Sequence, residues 1–168
     1  MKNLKITGFF LFFLFSFSSC GIYSFTGASI APEIKTISIQ YFTNQASLVQ
    51  PKLSQTLTDA LKDRFMQQTT LNVVNGRADL TLEGAITNYS TQPVAIQSND
   101  QAAMNRLSIT VRVTFVNEKN EKQNFETSFT RYEDYDSKLS LASVEDNLIK
   151  LISESLVEDI FNKSVVNW

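Results

Sequence analysis

The chain has 168 residues, a formal net charge of −2 and no histidine, which removes the usual general base, the triad imidazole and the commonest zinc ligand together. Its basic residues are scattered, with no run that could neutralise several adjacent phosphates, so no nucleic-acid partner is expected. Its 5 glycines form neither a phosphate-cradling loop nor a dinucleotide fingerprint, so no cofactor is expected and any catalysis would rest on carboxylates alone.

At the start of the chain, Lys2 and Lys5 precede an apolar run from Gly8 to Phe17. That run is too short for a hydrocarbon core needing about 20 apolar residues, and it has the layout of a secretory signal. It ends in Phe17-Ser18-Ser19-Cys20-Gly21, which resembles a lipobox. In such a box the Cys20 thiol takes a diacylglycerol thioether, cleavage falls after Ser19 and the new amino terminus is acylated. Cys20 is the one cysteine in the chain, so no disulfide competes for it. Residues 1–19 are therefore expected to be a removed signal peptide. Residues 20–33, with Gly21, Gly27 and Pro32 among aromatic Tyr23 and Phe25, read as a lipidated tether, and residues 34–168 as one domain.

Thr36 to Phe42 alternates as a half-buried strand, with Ile37, Ile39 and Tyr41 on one face. Pro51 suits the first turn of a helix whose apolar face is Leu53, Leu57, Ala60, Leu61 and Phe65. A short strand over Leu71 to Val74 stops at Asn75-Gly76. From Asp79 to Tyr89 a strand points Leu80, Leu82, Gly84 and Ile86 inward, with Gly84 marking a bend or bulge. Residues 90–105 are polar and contain Pro93, and they read as the longest loop. The clearest strand carries Leu107, Ile109, Val111, Val113 and Phe115 on one face. A charged turn, Asn117 to Lys122, leads to a strand with Phe125, Thr127 and Phe129. Inward residues must stay opposite inward ones, so Phe115 pairs with Phe125 and Val111 with Phe129, leaving Arg112 diagonal to Glu126.

The last element is predicted as a helix capped by Ser143, with Asp146 three residues on and an apolar set from Val144 through Ile160. Val157 and Phe161 lie beyond that set. Two readings stand: a wide buried face, or a partner-facing stripe continued by Val165 and Trp168. The order of elements gives an α+β two-layer sandwich, a mainly antiparallel four- to five-stranded sheet with two helices packed on one face. Ser38, Gln40, Thr81, Glu83, Thr110, Arg112, Thr114, Glu126, Ser128 and Thr130 would form the other, polar face.

In order, Cys20-Gly21-Ile22-Tyr23-Ser24-Phe25, Lys35 to Ile39 with Tyr41-Phe42, Leu53-Ser54-Gln55, Arg106 to Val111, Arg131 to Tyr135 and the ending Leu156 to Trp168 resemble the LptE family of lipopolysaccharide-assembly lipoproteins. No single stretch is a chemical motif; the resemblance lies in their order. It implies a non-catalytic lipoprotein of the outer membrane, on its periplasmic side. There it would plug a large β-barrel translocon, an LptD-like partner, and help lipopolysaccharide reach the surface. Gly21-Ile22 lacks the aspartate of an inner-membrane retention signal, which agrees. The resemblance also implies lipopolysaccharide contacts through basic residues, for which Arg106, Arg112 and Arg131 are the candidates; Arg112 has the alternative of pairing with Glu126, and Arg131 of capping a strand end. Glu133-Asp134-Tyr135-Asp136 lacks the spacing and glycine of a calcium loop and reads as a solvated turn, so no metal is expected. A competing reading is a lipid-binding accessory lipoprotein of an envelope transport system, with its pocket between sheet and helices.

Overall fold

A computed structural model describes residues 30–94 and 104–166. The signal, Cys20 and Trp168 lie outside the described residues. Six strands form one sheet: β1 (Thr36–Ile39), β2 (Thr43–Asn44), β3 (Asn72–Val73), β4 (Leu80–Val94), β5 (Met104–Asn117) and β6 (Phe125–Asp136). Among the described residues two helices, α1 (Pro51–Gln68) and α2 (Leu141–Val165), complete the α+β fold. The spatial order is β3-β1-β4-β5-β6, with β2 continuing the line of β1 along β4. β4, β5 and β6 are antiparallel, whereas β1 runs parallel to both β3 and β4. The parallel pairs follow from chain order: α1 carries the chain back from β2 to β3, as a parallel connection requires.

The predicted register of the last hairpin holds, with Phe115 opposite Phe125 and Val111 opposite Phe129. The long loop is cut back at its ends: β4 continues to Val94 and β5 begins at Met104, so residues 90–94 and 104–105 are paired strand, while 95–103 lie outside the described residues. Polar composition concealed it because this stretch of β4 is largely exposed. The bulge expected at Gly84 falls instead at Thr87, between the Ile86–Val111 and Asn88–Thr110 pairs. Gly84 has another reason. A Cβ there would run into the Arg112 carbonyl oxygen and lie 2.6 Å from the Phe42 ring. Phe42 is fully buried and Tyr41 is 58% exposed, because the alternation of β1 breaks after Ile39.

α1 begins as predicted, with Pro51 in its first turn and the Gln50 side chain accepting from the Lys52 amide at 2.9 Å. α2 begins at Leu141, earlier than expected. Ser140 occupies the N-cap position, and Ser143 donates to the Ser140 carbonyl at 2.7 Å instead of capping. Leu53, Leu57, Leu61 and Phe65 of α1 meet Ile152, Leu156, Ile160 and Phe161 of α2 in one core with Ile37, Leu82, Ile109 and Val113 of the sheet. That core begins before the predicted domain boundary, since Ile30 and Ala31 pack against it and Ile34 is buried.

Candidate functional site

On β4, β5 and β6 the period of two sends one set of side chains to the helices and the other to the opposite face. That second face carries Thr81, Glu83, Arg106, Thr110, Arg112, Glu126, Ser128, Thr130, Tyr132 and Asp134, and no helix among the described residues covers it. Ser38, expected on it, is buried at 1% exposure.

Two arginines on this face meet carboxylates across the strands. Arg106 is directly opposite Asp134 and binds it through two hydrogen bonds, Nε to Oδ1 at 2.7 Å and a terminal nitrogen to Oδ2 at 2.9 Å. The same guanidinium lies 3.6 Å from the centroid of the Tyr132 ring. Those hydrogen bonds hold the Asp134 carboxyl below the usual carboxylate range. Arg112 approaches the diagonal Glu126 at 3.9 Å, as its sequence placement predicted, but beyond hydrogen-bond distance. Between these pairs the Thr110 and Thr130 hydroxyls meet at 2.9 Å. Beside Arg112, a depression of about 410 Å³ opens between β2 and β5, rimmed by Gln40, Tyr41, Glu83 and Thr114 and floored by Gly84 and Ala85.

Arg131 takes no part in this surface. It lies on the helix side of β6 and grips Asp159 of α2 through two hydrogen bonds of 2.6 Å. The three arginines therefore do not converge. Glu133-Asp134-Tyr135-Asp136 is not a turn but the end of β6, with Tyr135 buried and Asp134 engaged by Arg106.

The partner-facing stripe on α2 is corrected by burial. Val157 is 5% exposed, Phe161 3% and Val165 0%. Phe161 meets Phe65 edge to face with centroids 5.0 Å apart, and Arg64 covers it from 5.2 Å. The apolar band on α2 is wide because the helix touches the sheet on one side and α1 on the other.

Two polar clusters escaped the sequence reading. Where the chain turns from β3 into β4 beneath the start of β1, Gly76 has φ 92°. Asp79 then accepts hydrogen bonds from the amides of Lys35 (2.9 Å) and Thr36 (3.1 Å) and from the Thr36 hydroxyl (2.9 Å). The Lys35 amide is the largest reason that its pKa falls to about 2. At the opposite end, the Tyr89 hydroxyl donates to Glu145 of α2, which also accepts from Gln50 at 3.0 Å, so one carboxylate joins β4 to the starts of both helices. Burial, followed by that carboxylate, pushes the Tyr89 phenol upward. The Arg106–Asp134 pair was legible in principle, since the predicted hairpin register carried along β5 to Arg106 lands on Asp134.

The same fold occurs in several bacterial proteins. A minor lipoprotein from Acinetobacter baumannii superposes with a TM-score of 0.51 at 15% identity, covering 77% of this chain and 91% of that one. A hypothetical protein from Chlamydia trachomatis gives 0.53 at 9% identity, covering 80% and 98%. A neuraminyllactose-binding hemagglutinin homolog from Helicobacter pylori gives 0.55 at 12% identity, covering 84% and 88%. At such identities the likeness is one of fold, a small α+β module. No curated protein matches the sequence. The family is more specific: residues 34–164 match the LptE model, described as lipopolysaccharide-assembly, and the chain belongs to that family. Membership gives it a role in lipopolysaccharide assembly.

Proposed function

We propose that the protein is held by lipid on Cys20 at the periplasmic side of the outer membrane. In this reading the domain plugs a large β-barrel translocon and assists its assembly, without catalysis, so that lipopolysaccharide inserts at the cell surface. The observation that carries this is the uncovered polar sheet face. Barrel lumens are polar, and a plug resting against one needs a wet surface whose charges are already matched. Arg106–Asp134 and Arg112–Glu126, separated by threonine hydroxyls, supply such a surface. Arg112 makes only a 3.9 Å approach to Glu126 among the described residues and is the arginine best placed for an anionic group on the lipopolysaccharide. Trp168 is kept as a proposed partner contact.

Detergent extraction and affinity purification of the tagged full chain should recover a large outer-membrane barrel protein in roughly equal amount. Recovery of the lipoprotein alone, with barrel assembly normal after its depletion, would refute the proposal. Cys20→Ser should release the protein from the membrane fraction.

A further inference from the structure

The edges of the sheet are treated unequally. On one side β3 is only two residues long, and the stretch of β4 beyond β2 is interrupted by the bulge at Thr87 and carries Pro93. These are ordinary protections against pairing with another chain. On the other side β6 runs for 12 residues in continuous register with β5, without proline, glycine, lysine or bulge. No strand among the described residues pairs with its outer edge.

The backbone groups presented at that edge follow from strand direction. On β4 the inward-facing Leu82 and Ile86 turn their carbonyls toward the β1–β2 line, accepting from the Gln40 and Gln45 amides at 2.9 and 2.8 Å. β6 runs in the same direction as β4, since each is antiparallel to β5. Inward-facing residues of β6 therefore bond β5, and the outward-facing Glu126, Ser128, Thr130, Tyr132 and Asp134 aim N–H and C=O at the open edge. A row of such groups in extended geometry is complementary to a β-strand.

We infer that the outer edge of β6 receives one extended strand of a partner polypeptide, apolar where it passes Phe125 and Phe129 and basic where it passes Glu133 and Asp136. Phe125 and Phe129 are half-buried on the helix side and offer apolar surface to such a strand. At the other end Arg106 neutralises Asp134 and Asp159 neutralises Arg131, while Glu133 and Asp136 have no ion pair among the described residues. A second copy of the chain fits poorly. In the two face-preserving antiparallel registers with the greatest overlap, Glu126 falls opposite Asp134 or Asp136 of the other copy, twice each. Like charges so placed oppose pairing. The inference goes beyond the barrel reading and does not depend on it.

The test needs no barrel. Isotope-labelled full chain in detergent is titrated with a synthetic peptide of alternating valine and threonine bearing two lysines at its N-terminus, the end that meets Asp136 in antiparallel addition. Amide exchange at Ser128, Thr130 and Tyr132 should slow by about tenfold or more, while Thr127 and Phe129, already bonded to β5, change little. A peptide with glutamates replacing the lysines should bind more weakly, and Thr130→Pro, which removes an outward N–H together with the hydroxyl that meets Thr110, should abolish the effect. Absent protection, protection confined to other strands, or protection that rises with protein concentration without peptide would each overturn the inference. The wild-type exchange pattern decides the matter even if Thr130→Pro fails to fold.

Discussion

Phe161 separates a core from a docking surface by a single measurement. Its ring is 3% exposed, edge-on to Phe65 and covered by Arg64. Truncation to alanine removes the ring's transfer energy and leaves a cavity between α1 and α2, at a cost of about 3–5 kcal/mol. Phe161→Asp is worse, because it loses the same ring packing and also desolvates a carboxylate between α1 and α2, a cost that the neighbouring Arg64 guanidinium offsets only in part, so the loss becomes a large part of a typical domain stability of about 5–15 kcal/mol. Urea unfolding followed by circular dichroism on Phe161→Ala should show a lower midpoint at unchanged slope, and a thermal midpoint reduced by roughly 10–20 °C. Phe161→Asp should be largely unfolded. A Phe161→Asp protein that stays within about 1 kcal/mol of wild type would refute the core assignment and restore the partner-facing stripe.

Further expectations concern the clasp beneath β1 and the crossing at Gly84. The folded pKa of Asp79, about 2, lies below its ordinary 3.8, so its contribution is fully present above pH 4 and is lost as pH falls through 2. That contribution is at most about 2 kcal/mol, and Asp79→Asn should flatten the acid limb of stability measured by urea titration at several pH values; an unchanged acid limb would remove the clasp from the account. Gly84→Ala should cost about 1–3 kcal/mol, because the added methyl meets both a backbone carbonyl and the buried Phe42 ring. A melt matching wild type would show that β4 and β5 can part without penalty. Tyr89→Phe removes a hydrogen bond to a carboxylate and should cost about 1–3 kcal/mol, read by the same unfolding titration.

Local periodicity made much of this molecule legible. Alternation along Leu107 to Phe115 and the need to keep inward residues paired were enough to place Phe115 against Phe125, and with them Arg112 near Glu126. The leucines of α1 and its proline start were equally plain. Local signals failed where burial was decided by distant neighbours. The distal part of β4 looked like loop because its residues are polar and largely solvated, though their backbones pair with β5. Arg131 looked like its neighbours on the sheet until α2 placed Asp159 beside it.

The sequence by itself determined the nature of the main elements and the inward and outward faces of the hairpin, because each depends on residues close along the chain. Tertiary structure decided the parallel pairing of β1, the burial of Phe161 between two helices, the clasp of Asp79 on the start of β1, and the position of β6 at the edge of the sheet among the described residues. Each depends on which segment lies alongside another after the chain has folded back, and a period of two or of 3.6 carries no information about that neighbour.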